Sequence, residues 1–76
     1  MKTKASLDVL GKLCPIPIIK LAERMKVMEP GDTVTLVADD PLIVVDLPAW
    51  CDGHGQELVR LEKTGDHYVG LVRKTA

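Results

Sequence analysis

Cys14, followed at once by Pro15-Ile16-Pro17, carries the most pointed chemistry in this 76-residue sequence. A thiol attacks as its thiolate, and a local positive potential favours that form. A C-P-x-P string supplies one if it opens a helix. Pro15 suits the first helical position, and Pro17 two residues later loses only an N–H that has no intrahelical partner. Cys14 is then expected at the N-cap, where the positive end of the helix dipole stabilises the thiolate. The prolines also remove amide donors, leaving mainly those of Ile16 and Ile18 to solvate the sulfur, so the expected fall in thiol pKa is modest. That suits a relay, because nucleophilicity falls with pKa and the best attacking thiol titrates near ambient pH. No second Cys stands in the same loop, as it would in a CxxC dithiol, so sulfur placed on Cys14 would not be displaced at once.

Cys51 stands 37 positions further on, after Ala49-Trp50. Its plain reading is a packed thiol beside a packed indole. A redox pair with Cys14 is the competing reading, and it requires Cα atoms within about 7 Å. His54 between two glycines and His67 in a turn read as solvated loop residues. No CxxC and no His/Cys cluster suggests zinc, and no metal or cofactor is expected. Lys12, Lys20, Arg24, Arg73 and Lys74 are expected either to make the Cys14 end somewhat positive or to be simply solvated. Ile16 and Ile19 fall outside the main apolar stripe of their helix. With Lys12 they are candidates for a partner-docking patch, and helix packing is the other reading of the two isoleucines.

The elements that must position Cys14 follow from periodicity. Leu7 and Val9 alternate with polar neighbours up to Gly11 and predict a strand over 5–10. Ile18, Leu21, Ala22, Met25 and Met28 recur at helical spacing and predict an amphipathic helix over 15–28, with Gly11, Pro15 and Pro17 setting its start and presenting the thiol. Pro30-Gly31 stops it. Thr33 to Ala38 is rich in β-branched residues, with Val34, Leu36 and Ala38 on one face, and reads as a strand ending at Asp39-Asp40-Pro41. The following apolar run is strand-like by propensity. Asp40 as N-cap, Pro41 at the first position and the spacing of Leu42, Val45 and Ala49 predict a helix instead. Pro48 is expected to kink that helix or move its start to Asp46, and Gly53-His54-Gly55 to end it. Gln56–Thr64 and Tyr68–Arg73 alternate around a turn, with Val59 and Leu61 expected opposite Val69 and Leu71.

The order βαβαββ begins with a βαβ unit whose first two strands should be parallel. The expected fold is a two-layer α/β sandwich, with both helices on one face of a mixed four-stranded sheet. Size bounds the rest. A chain of this length forms one domain over 1–76 and buries only about 60% of its unfolded surface, which leaves little for a cavity. Chemistry is then expected at the surface, with a partner completing the site. Ten Lys and Arg against 11 Asp and Glu, with no basic block, argue against direct nucleic-acid binding. The start Met1-Lys2-Thr3-Lys4-Ala5 leads into a strand-like segment instead of a signal-peptide apolar stretch and no run approaches a membrane span, so neither a leader nor membrane association is expected. A cytoplasmic location with free thiols is the expectation.

The chain resembles the TusA (SirA-like) family of sulfur carriers along nearly its whole length. Leu7-Asp8, Gly11, Cys14-Pro15-Ile16-Pro17, Pro30-Gly31, Asp39-Asp40-Pro41, Asp46-Leu47-Pro48, Trp50-Cys51, Gly55, Glu57-Leu58 and Arg73-Lys74 fall in that family's order and spacing. The resemblance implies a sandwich like the C-terminal domain of bacterial translation initiation factor three, a helical second crossover, and a persulfide formed on Cys14. It implies a cysteine desulfurase or rhodanese-like protein as donor and a downstream protein as acceptor. The pathways it admits are tRNA wobble-uridine thiolation, molybdenum cofactor synthesis and sulfur oxidation. Such a protein is a cosubstrate of sulfurtransferases more than a free-standing catalyst. A thiol redox sensor and a small regulatory binding module are the alternatives. Two positions depart from the family pattern: Lys12, where an apolar residue is usual, and Gln56, where a His is frequent.

Overall fold

In the computed structural model, which describes residues 4–13 and 15–75, the elements run β1 (Lys4–Asp8), α1 (Ile16–Met25), β2 (Thr33–Ala38), α2 (Ile43–His54), β3 (Glu57–Thr64) and β4 (His67–Arg73). The strands form one mixed sheet in the order β1-β2-β4-β3, with β1 and β2 parallel and the other neighbours antiparallel. The βαβαββ sandwich expected from the sequence is the fold found. Strand β2 sits centrally because it alternates perfectly: Val34, Leu36 and Ala38 are buried while Thr33, Thr35 and Val37 face the other side. Leu21 and Met25 of α1 and Ile43, Leu47 and Cys51 of α2 join those β2 residues in one apolar cluster, so both helices cover the same sheet face.

Several boundaries differ from the expectation. β1 ends at Asp8, although the Val9 amide still donates to the Val37 carbonyl at 2.8 Å. Helix α1 stops at Met25 rather than Met28. Its continuation tightens to bonds spaced by three, Val27 to Arg24 and Met28 to Met25, which keep Met28 buried. The Lys74 ammonium then takes the exposed helix end, donating to the carbonyls of Met25 and Met28 at 2.7 and 2.6 Å.

The second helix is present, but its inward face is Ile43, Leu47 and Cys51 and not Leu42, Val45 and Ala49. Leu42 and Val45 are 57% and 63% exposed. The run 42–45 is apolar at every position and therefore carries no phase of its own. Asp40 does act at the start, its Oδ1 accepting from the Leu42 amide at 3.0 Å, but it opens a tight turn with bonds spaced by three. That turn advances the chain before α2 proper begins. Pro48 lies inside the helix without ending it or moving its start to Asp46. Its missing N–H releases the carbonyl of exposed Val44, which water can reach.

The terminal hairpin forms, with a register other than the expected one. A bulge between Leu58 and Arg60 pairs Leu61 with Gly70 and Glu62 with Val69. One extra residue reverses which face each later side chain takes. Leu61 therefore packs against the helix-side core, while Val69 and Leu71 lie on the open face. Gly70 is buried opposite Leu47, and a Cβ built there would lie 2.7 Å from Leu47 Cδ2.

Candidate functional site

Because β1 and β2 are parallel, the segments leaving them start both helices at the same end of the sheet. The chain from Asp8 to Ile16 crosses that end. Asp8 Oδ1 accepts from the Leu10 amide at 2.9 Å, and the Lys12 amide closes a turn onto the Val9 carbonyl at 3.1 Å. Gly11 occupies the third place of that turn with φ 77°, a left-handed conformation that glycine adopts without strain. The Gly11 amide then reaches the next loop, donating to both carboxylate oxygens of Asp39 at 3.0 and 3.1 Å.

Cys14 itself lies outside the described residues. On either side of it Leu13 is 72% exposed and Pro15 is also exposed, and the Leu13 carbonyl accepts from the Ile16 amide at 3.0 Å. That bond uses one of the two donors expected to solvate the sulfur. The helix begins one residue later than expected. Pro15 is the N-cap, its carbonyl already accepting from Ile19 at 3.0 Å, and Pro17 sits buried at the second helical position. Pro15 therefore precedes the helix instead of opening it. Ile16 and Ile19 are 42% and 51% exposed on the outer side of α1, and Lys12 is exposed on the loop. Leu10 and Leu13 add to the same apolar edge.

Cys51 is 2% exposed, and burial pushes its thiol up to about 11. A thiol held in that form is a poor nucleophile. It lies eight residues along α2 from Ile43, about 12 Å of helix axis from the end that the Asp8–Ile16 segment crosses. The packed-thiol reading is the one the structure supports.

His54 is not a free loop residue. It closes α2, stacks on Trp50 with ring centres 4.7 Å apart, and places Nδ1 2.9 Å from the Trp50 carbonyl. A carbonyl only accepts, so Nδ1 carries the proton there. His67 opens β4 with Nδ1 3.3 Å from Asp66 Oδ1. Arg73 and Lys74 do not charge the Cys14 end. Arg73 pairs with Glu57 and lies opposite Thr33, at the start of β2, while Lys74 binds the far end of α1. The antiparallel run of β4 puts them there.

Little room was expected for a cavity, and the space found is an open groove of about 310 Å³ between the two helices, lined by Ala22, Met25, Lys26, Trp50, His54, Gln56 and Lys74. Gln56, one of the two departures from the family pattern, accepts the Thr75 amide at 2.9 Å and so ties down the last strand's exit. Among the described residues, no group of His, Cys, Asp and Glu could hold a metal ion, and no helix is long and apolar enough to cross a membrane.

Asp39 is the residue that reading the sequence passed over, as part of a strand-breaking Asp-Asp-Pro. A signal was present: a carboxylate just past the end of a strand parallel to β1 must face the loop leaving β1.

A family model described as sulfurtransferase TusA matches residues 5–74. This chain belongs to the TusA family. Membership suggests a sulfur-carrier role, and the matched span takes in the Gly11 turn, position 14, both helices, β2 to β4 and all of β1 but its first residue. A SirA-like protein from Desulfitobacterium hafniense, known by crystal structure, is similar to this member: TM-score 0.80, 26% identity, covering 95% of this chain and 99% of that one.

Proposed function

We propose that the single domain over residues 1–76 is a cytoplasmic sulfur carrier that holds a sulfane sulfur as a persulfide on Cys14. The observation that carries the reading is the family match over 5–74, which includes Cys14-Pro15-Ile16-Pro17. The exposure of Leu13 and Pro15 supports it, because a relay residue must be reached by two different proteins. In the first step the Cys14 thiolate attacks the terminal sulfur of a donor persulfide, the donor's S–S bond breaks, and the donor leaves as a thiolate with the electron pair. In the second, an acceptor thiolate attacks the terminal sulfur on Cys14, and Cys14 leaves as thiolate. One sulfur atom moves and nothing is oxidised or reduced overall. The donor is a cysteine desulfurase or rhodanese-like protein, the acceptor a downstream protein thiol, and no metal, cofactor or direct nucleic-acid contact is required. The end use lies among tRNA thiolation, cofactor biosynthesis and sulfur oxidation.

Intact mass after exposure to polysulfide tests this directly. The chain should gain one sulfur, and Cys14→Ser should gain none while keeping its thermal transition. Loss of two hydrogens would indicate a Cys14–Cys51 redox pair, and no change would leave a binding module. The buried, high-pKa state of Cys51 disfavours the redox pair.

A further inference from the structure

We propose that Asp39 is a positioning residue for the Cys14 loop, acting through the Gly11 amide. The inference rests on Cys14 being the sulfur-bearing residue. The start of the Asp8–Ile16 segment is held by buried Val9, whose amide donates to the Val37 carbonyl of β2, and beyond it the supports are local: Asp8 holds Leu10, Val9 holds Lys12, and Leu13 holds Ile16. Each of these local bonds spans two or three residues. The Gly11–Asp39 bond is different, since it joins residues 28 apart in sequence and anchors the loop to the end of β2, the most deeply buried strand. Both oxygens of Asp39 converge on one N–H at 3.0 and 3.1 Å, a charge-assisted bond of good length.

The neighbouring residue makes the anchor firm. Asp40 is buried and its Oδ1 takes the Leu42 amide, so the dipeptide is fixed on one side by the start of α2 while Asp39 reaches across to the first loop. Gly11 holds φ 77° in the turn that presents this amide. Without the tether, the turn keeps its internal bonds and its root at Val9 but loses the bond that fixes its Gly11 side relative to the end of β2. A reacting atom displaced by about 1 Å can cost about 100-fold in rate. Asp39 thus supplies orientation through the backbone of the Gly11 turn.

The test uses the whole chain as Asp39→Ala and Asp39→Asn. Three quantities are measured for each: exchange of the Gly11 amide by NMR, the initial rate of sulfur gain from polysulfide by intact mass, and the rate of Cys14 alkylation by iodoacetamide. Asp39→Ala should speed Gly11 exchange at least about tenfold while the amides of β2 stay protected, and should slow sulfur gain roughly 10- to 100-fold. Asp39→Asn keeps one carbonyl oxygen as acceptor and should restore sulfur gain to within about threefold. Unchanged Gly11 exchange and unchanged sulfur gain in Asp39→Ala would overturn the proposal. Faster exchange throughout β2, with no rescue by Asn, would also overturn it by making Asp39 merely structural. If wild-type chain gains no sulfur at all, the carrier reading has failed. The alkylation rate then decides the tether alone: a change in Asp39→Ala that Asn reverses supports it, and equal rates in all three proteins reject it.

Discussion

Burial pushes the Cys51 thiol up to about 11 from its ordinary 9.0, and the consequence reaches beyond reactivity. Below pH 9 the folded and unfolded states both keep the proton, and the stabilising preference for the neutral thiol is complete. Between about 9 and 11 the unfolded chain ionises while the folded chain does not, so the unfolded state gains. A shift of that size corresponds to a loss on the order of 3 kcal/mol, spread over that window as pH rises. Denaturant unfolding from pH 8 to 11 should therefore show a steeper alkaline loss for wild type than for Cys51→Ala, which has no thiol there to titrate. Parallel curves would remove Cys51 from the alkaline transition. Cys51→Ser should lose about 1–3 kcal/mol at neutral pH by burying a hydroxyl, yet still gain sulfur on Cys14. The burial of Cys51 was legible in the sequence, because it stands beside Trp50 on a helix. The role of Asp39 was not, since its partner is 28 residues away and becomes visible only once β1 and β2 are known to be parallel neighbours.

At the scale of elements, the sequence was clearest where apolar and polar residues alternate cleanly, as in β2, α1 and the order of all six elements. It misled where every position was apolar, as in Leu42-Ile43-Val44-Val45, and where a bulge reset the phase of β3. A bulge depends on how two strands meet, which period-2 patterning within one strand does not encode. The bulge has a packing consequence that can be measured. It brings Leu61 to the helix side beside Gly70, and Leu47 fills the space where Gly70 has no side chain. Leu47 is fully buried, so making room for a Cβ at Gly70 must disturb its packing. Gly70→Ala should therefore cost about 1–3 kcal/mol from overpacking, despite the better strand propensity of alanine. A combined Gly70→Ala, Leu47→Val chain should lose less than the sum of the two single losses, because the smaller side chain vacates the contested volume. Additive losses in urea unfolding would show that the two side chains do not compete.

For the molecule as a whole, the parallel start of β1 and β2 gathers both helix N-termini at one end, and the exposed apolar residues follow them. Leu10, Leu13, Ile16 and Ile19 edge the first loop and helix, and Leu42 and Val45 stand at the start of the second. Covering an isoleucine contributes roughly 1.5–3 kcal/mol, against about 0–1 kcal/mol for a solvated charge pair, so apolar contacts should dominate the affinity of a sulfur donor or acceptor at this end. Charge should instead set the encounter rate. The fold divides the basic residues for this purpose: Lys12 lies on the exposed loop, whereas Arg73 pairs with Glu57 and Lys74 caps α1 at the opposite end. Transfer from loaded carrier to an acceptor thiol protein should fall strongly in Ile16→Ala or Ile19→Ala, each first checked for normal folding and sulfur gain. Lys12→Ala should lose rate at low salt and match wild type at high salt, where screening removes the steering that Lys12 supplies. Arg73→Ala should keep the wild-type salt dependence. Normal transfer by an Ile16→Ala, Ile19→Ala double variant would discard the apolar patch, and equal salt responses for Lys12→Ala and Arg73→Ala would show that the encounter is not aimed at the end where the first helix begins.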